Sequence, residues 1–126
     1  MKELFKGYIR TRGKKSIDPF KNKDASELLT LTQVQNTKEY AGVLADDIIL
    51  IDIDDPEQAD ILFQIVEEQE LLCRVYETTR GKHFLFKNTS IERCKTHSHI
   101  ALSLEADIKL GTRNSYEVLK LSLIHI

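Results

Sequence analysis

The chain has only two cysteines, Cys73 and Cys94, in 126 residues. Two are too few for a disulfide framework, and they lack the paired spacing of zinc ligands. Both read as reduced thiols, the state expected in the cytosol. No apolar run approaches the roughly 20 residues that span a bilayer. Met1-Lys2-Glu3-Leu4 lacks the apolar segment of a secretion signal, so a cytoplasmic protein with no membrane partner is the expectation. An excess of one charge is lacking too, since 18 basic and 20 acidic residues leave a formal net charge of −2. No global field gathers nucleic acid, and any such contact needs a local basic patch. The cations Lys2, Lys6, Arg10, Arg12, Lys14, Lys15, Lys21 and Lys23 form one concentration. It reads first as a solvated surface, with Lys14-Lys15 after Gly13 placed to reach a phosphate or a template strand. There are no internal repeats and no low-complexity tract.

What is present suffices for an ordinary core, with 41% hydrophobic residues. Residues 1–39 read as a basic N-terminal arm, irregular to Asp24, followed by a short helical segment starting at Ser26-Glu27-Leu28-Leu29. Residues 40–120 read as the folded core. Gly42-Val43-Leu44 and Ile48 to Asp54 are strand material around an Ala45-Asp46-Asp47 turn. Pro56 to about Glu70 is the clearest helix, with Ala59, Leu62, Ile65, Val66 and Gln69 at the helical period. Cys73 to Thr78 and His83 to Lys87 form a hairpin through Thr79-Arg80-Gly81-Lys82. Asn88 to His99 reads as loop. Ala106 to Leu110 and Tyr116 to Leu121 read as a second hairpin joined by Gly111 to Ser115. Residues 121–126 are an apolar tail, expected of a truncated parent protein or of sequence foreign to it. The β-α-β-β order, then β-β, predicts an α+β fold: an RNA-recognition-like antiparallel or mixed sheet with helices packed on one face.

The richest segment is Ile48-Ile49-Leu50-Ile51-Asp52-Ile53-Asp54-Asp55. Alternate side chains of a strand share a face, so Asp52 and Asp54 project side by side. Paired carboxylates at the end of a buried strand repel each other and lose hydration. A divalent cation relieves that cost, and Mg²⁺ favours one or two carboxylates completed by water and phosphate oxygens. The plainer explanation, helix capping, accounts for Asp55 before Pro56-Glu57 but not for Asp52 and Asp54.

Other residues line up with the pair. Thr79-Arg80-Gly81-Lys82-His83 offers a glycine turn, two cations and a histidine, which together can hold a triphosphate. Asp107 lies on a separate short strand, with Lys109 two residues on and on the same face. A third carboxylate from another strand is what a two-metal phosphoryl-transfer site requires. Arg113, in the following loop, is a candidate phosphate or template contact, although an ordinary loop cation is the simpler reading. His97 and His99 read as surface histidines, and Cys94 as a buried thiol.

Taken in order, these motifs resemble the archaeo-eukaryotic primase superfamily, especially the bifunctional primase-polymerase domains of phage and plasmid replication proteins. Ile51-Asp52-Ile53-Asp54 is similar to its first motif, Gly81-Lys82-His83 to its second and Ala106-Asp107-Ile108-Lys109 to its third. The resemblance spans roughly Tyr40 to Leu119. It implies DNA-templated nucleotidyl transfer, with Asp52, Asp54 and Asp107 holding Mg²⁺ or Mn²⁺. His83, with Arg80 and Lys82, would hold the triphosphate, and Lys109 would stabilise phosphate charge. The implied partners are a DNA template, NTP or dNTP and a helicase domain or protein, in a bacterial cell hosting a phage or plasmid. Two other readings compete: a metal-dependent nuclease using Asp107 and Lys109 with Asp52 or Asp54 as the other ligand, and a non-catalytic single-strand nucleic-acid-binding module stacking bases on Phe84 and Phe86, although these two lie opposite His83 and are better explained as core.

Overall fold

A computed structural model describes residues 3–88, 97–100 and 104–120. In chain order the first elements are β1 (Phe5–Arg12), β2 (Lys15–Ser16), α1 (Leu31–Val34), β3 (Tyr40–Leu44) and β4 (Ile48–Ile53). Then come α2 (Pro56–Glu68), β5 (Arg74–Glu77), β6 (Lys82–Lys87), β7 (His97–Ile100), β8 (Leu104–Leu110) and β9 (Tyr116–Lys120). The chain is therefore α+β, with two antiparallel sheets and few helices. It divides into two compact units, one over Asp47–Leu110 and the other over Glu3–Asp46 with the chain from Gly111 onward.

The Asp47–Leu110 unit holds a five-stranded sheet in the order β5-β6-β4-β8-β7. Its central strand, β4, is nearly continuous in apolar residues because both faces are covered, and Ile48, Ile49, Leu50 and Ile53 are all buried. On one face Ile53, Phe84, Leu104 and Ala106 pack against Ala59 and Val66 of α2, with Leu62, Phe63, Val75 and Phe86 around them. Phe84 and Phe86 thus belong to the helix-side core and present no stacking surface. Helix α2 starts as its sequence requires. The Asp55 carboxylate accepts from the Glu57 and Gln58 amides at 2.9 and 3.3 Å, and Pro56 follows at the first helical position. Cys73 packs against the same core, and burial pushes its thiol up to about 11, so it is no nucleophile.

The other unit holds a sheet in the order β2-β1-β3-β9, with Ile9, Leu28, Ala41 and Val43 at its core. Here the structure corrects the sequence reading. Residues 5–12 form a strand rather than an irregular arm, pairing Tyr8 with Gly42 and Ile9 with Ala41. Residues on both sides of position 40 therefore share one sheet. Gly7, Ile9 and Thr11 face inward, while Arg10 and Arg12 stay exposed, and the basic outward set hides the period of two. The short helix begins after Thr30, which caps it, whereas Leu29 bridges to Tyr8.

Three further expectations change. β3 and β4 flank the Ala45-Asp46-Asp47 turn yet lie in different sheets. β8 and β9 are not a hairpin, because β8 pairs with β4 and β7, and β9 pairs with β3. A 3-10 turn over Gly111–Arg113 carries the chain between them. Gly111 is needed there, since a Cβ would lie 1.8 Å from the Ala45 carbonyl oxygen. Residues 97–99, read as the end of a loop, belong to β7 instead. Cys94 and the apolar tail at 121–126 lie outside the described residues.

Replacing the α2 cap tests this account. Asp55→Ala is expected to cost about 1 kcal/mol of unfolding free energy in urea, while Asp55→Asn, which can still cap, stays close to wild type.

Candidate metal centre

The site arises from strand register. Asp52 of β4 stands opposite His83 of β6 on one side and opposite Asp107 of β8 on the other. Cross-strand partners project to the same face, so the three side chains form a row across the sheet, on the face away from α2. The next row on that face is Leu85, Leu50 and Lys109. Asp54, just past the end of β4, completes the group. Oxygens of Asp52, Asp54 and Asp107 lie within 4.8 Å of one another. They line a cleft of about 190 Å³ with Asp55, Glu105 and Ala106.

Two local devices hold this arrangement. The Glu105 amide donates to Gln58 Oε1 at 2.8 Å, which ties the start of β8 to α2. The β5–β6 turn is closed by Thr78, whose amide donates to the Gly81 carbonyl and whose hydroxyl accepts from the Gly81 amide, both at 3.0 Å. Gly81 then passes so close to the end of β4 that a Cβ would lie 1.8 Å from the Ile53 carbonyl oxygen. The glycine is required here by space, and it brings the hairpin up against Asp54.

The electrostatics follow from crowding. Nε2 of His83 sits 3.1 Å from Oδ1 of Asp52, a deeply buried oxygen. Burial works to raise the Asp52 carboxyl. Hydrogen bonding and charge from His83, the Asp54 carboxyl and Lys109 outweigh it and hold Asp52 below the ordinary carboxylate range. Asp54 goes the other way. Burial, the negative charge of Asp52 and the hydrogen bond between the two carboxyls push it up, Asp107 adds to the push, and Arg80 opposes it. Without a cation the crowding is relieved in part by the raised proton affinity of Asp54. Three carboxylates at this spacing form an all-oxygen donor set that suits Mg²⁺ or Mn²⁺, whose ligands sit about 2.0–2.2 Å from the ion.

Most of the residues singled out in the sequence assemble here. Asp52, Asp54, Asp107 and His83 meet directly, Lys109 and Arg80 act on them through charge, and Gly81 packs beside them. Lys82 does not join them. It stands opposite Ile53, on the helix face, where its Nζ pairs with Asp60 at 3.3 Å and Glu77 at 3.4 Å and lies over the Phe63 ring. Alternation along β6 decides this, because His83 and its neighbour must face opposite ways. Arg113 is an exposed cation of the other unit. For His97 the backbone register is described, opposite Asp107. Glu105 and Gln58 escaped the sequence reading, since a start-of-strand contact to a helix has no local signature.

Gly81→Ala is expected to destabilise the fold by about 1–3 kcal/mol, as overpacking does, and to loosen the cluster. Thermal unfolding together with Mn²⁺ titration measures both effects. No known protein family, no curated protein and no solved structure matches this chain.

Proposed function

We propose that the Asp47–Leu110 unit is the catalytic part of a phage- or plasmid-type DNA primase-polymerase, on an RNA-recognition-like sheet. One observation carries the proposal. Three carboxylates and a histidine, drawn from three strands, stand in one cluster on the sheet face away from α2. The order of the matching motifs along the chain supports the same reading. The reaction would join a nucleotide to a primer or a first nucleotide on a DNA template and release pyrophosphate.

A Mg²⁺ or Mn²⁺ pair held by Asp52, Asp54 and Asp107 would supply charge neutralisation and activation of the attacking hydroxyl. The chain's own groups do the rest. His83 presents an imidazole beside the carboxylates, held by Asp52, and positions the phosphates of the incoming nucleotide. Lys109 and Arg80 add positive charge where phosphate charge builds up. Lys82, held by Asp60 and Glu77, anchors the hairpin to α2 and leaves triphosphate binding to Arg80 and His83. No described helix is long and apolar enough to cross a membrane. The proposed setting is a bacterial cytoplasm, with a helicase domain or protein in the same replication system.

The decisive experiment is calorimetry with ATP and dATP, with and without Mn²⁺. Micromolar binding that requires Mn²⁺ and is lost in Asp52→Asn/Asp54→Asn is the expected outcome. A folded wild-type protein that binds neither nucleotide would overturn the proposal. Cleavage of plasmid DNA in Mg²⁺ without nucleotide would instead indicate a nuclease.

The pH dependence has a definite sign. Cation binding must displace the proton that Asp54 retains above the ordinary carboxylate range. Mn²⁺ affinity should therefore rise with pH through that raised range and then level off. Asp54→Asn removes the charge repulsion at an exposed position and should change cation-free stability by no more than about 0.5 kcal/mol, in the stabilising direction. The same variant should abolish the Mn²⁺-induced rise in Tm.

A further inference from the structure

The row across the sheet continues one strand beyond His83. β5 pairs with β6 so that Tyr76 stands opposite His83. Tyr76 therefore rises from the same face as Asp52, His83 and Asp107, whereas its neighbour Val75 packs into the helix-side core. Tyr76 is half-buried. Among the described residues its hydroxyl has no hydrogen-bond partner and its ring no aromatic neighbour. The tyrosines of the other unit differ. Tyr116 donates to the Lys14 carbonyl and packs on Phe20, and Tyr8 packs on Tyr40.

Resting on the nucleotidyl-transfer reading, we infer that Tyr76 forms the nucleoside subsite, its ring packing against the base of the bound nucleoside triphosphate. Three observations lead there. First, neighbouring strands lie about 4.8 Å apart, so Tyr76 stands about 10 Å from Asp52 and one strand beyond His83, which positions the phosphates. Second, the opposite direction is acidic. The cleft between β4 and β8 is only about 190 Å³ and is lined by Asp55 and Glu105 besides the three aspartates. Third, the cations that act on the carboxylates are Arg80 and Lys109, so phosphate charge has partners nearer the cluster. An uncharged, half-exposed ring at the far end of the row suits the one part of the ligand with a flat π-face. Such stacking tolerates any base, as a template-directed enzyme requires.

The test compares ATP with inorganic tripolyphosphate, which carries the phosphates without the nucleoside. Affinities in Mn²⁺ are measured for wild type, Tyr76→Ala and Tyr76→Phe. Tyr76→Ala is expected to weaken ATP roughly 5- to 100-fold and leave tripolyphosphate unchanged, while Tyr76→Phe keeps both. Retained tripolyphosphate binding also shows that the variant is folded with its cluster intact. Unchanged ATP affinity in Tyr76→Ala overturns the inference alone, as does an equal loss for both ligands, which would make Tyr76 a phosphate contact or a structural residue. Failure of the wild type to bind ATP with Mn²⁺ overturns the nucleotidyl-transfer reading and, with it, this subsite.

Discussion

The register of β4 between β6 and β8 is the constraint on which the site depends. Asp52 meets His83 and Asp107 only in this pairing. A slip of one residue on either side would turn the partner strand over and send His83 or Asp107 to the helix face. That slip is prevented on the opposite face, where Ile53, Phe84 and Ala106 are fully or almost fully buried against α2. The polar row is thus held in place by apolar packing that it never touches. This is the usual relation between a rigid scaffold and a precise site.

The cluster itself works against the fold. Three carboxylates crowd together at the edge of a buried strand; the crowding raises the proton affinity of Asp54, while His83 holds that of Asp52 down against its burial. A site that repels itself when empty is poised to gain from any group that neutralises it. His83 already does part of this from one side of Asp52. Asp55 stands apart from this balance, its carboxylate committed to capping α2. Adjacent aspartates therefore divide the labour, one ending the loop and the other two facing the sheet.

Much of this was legible in the chain. The four-residue apolar run before Asp52 announced a central strand, and Asp55-Pro56-Glu57 announced a helix start. The glycine turn announced the β5–β6 hairpin. These signals are local, as are the physical rules behind them: alternation, capping and turn geometry. Lys82 adjoins His83 in sequence, yet alternation along β6 turns it to the opposite face. The β8–β9 reading failed differently. Two strands flanking a glycine loop satisfy every local criterion for a hairpin, and only the competing partners β4 and β3 decide otherwise. β1 was missed because its outward Arg10 and Arg12 dominate the composition of that segment.

By itself, the sequence determined which residues could carry chemistry and which local elements would hold them. Asp52 and Asp54 share a face because a strand has a period of two, whatever surrounds it. The tertiary structure decided which of the candidates meet. Asp107 lies more than fifty residues from Asp52 in the chain, and their adjacency follows from strand pairing, a non-local choice settled by burial of the opposite face. The same choice placed Tyr76 in the row, sent Lys82 to the helix and assigned Arg113 to the other unit. Local patterns are written residue by residue, whereas pairing is a property of the whole hydrophobic core. That physical difference separates what could be read from what had to be folded.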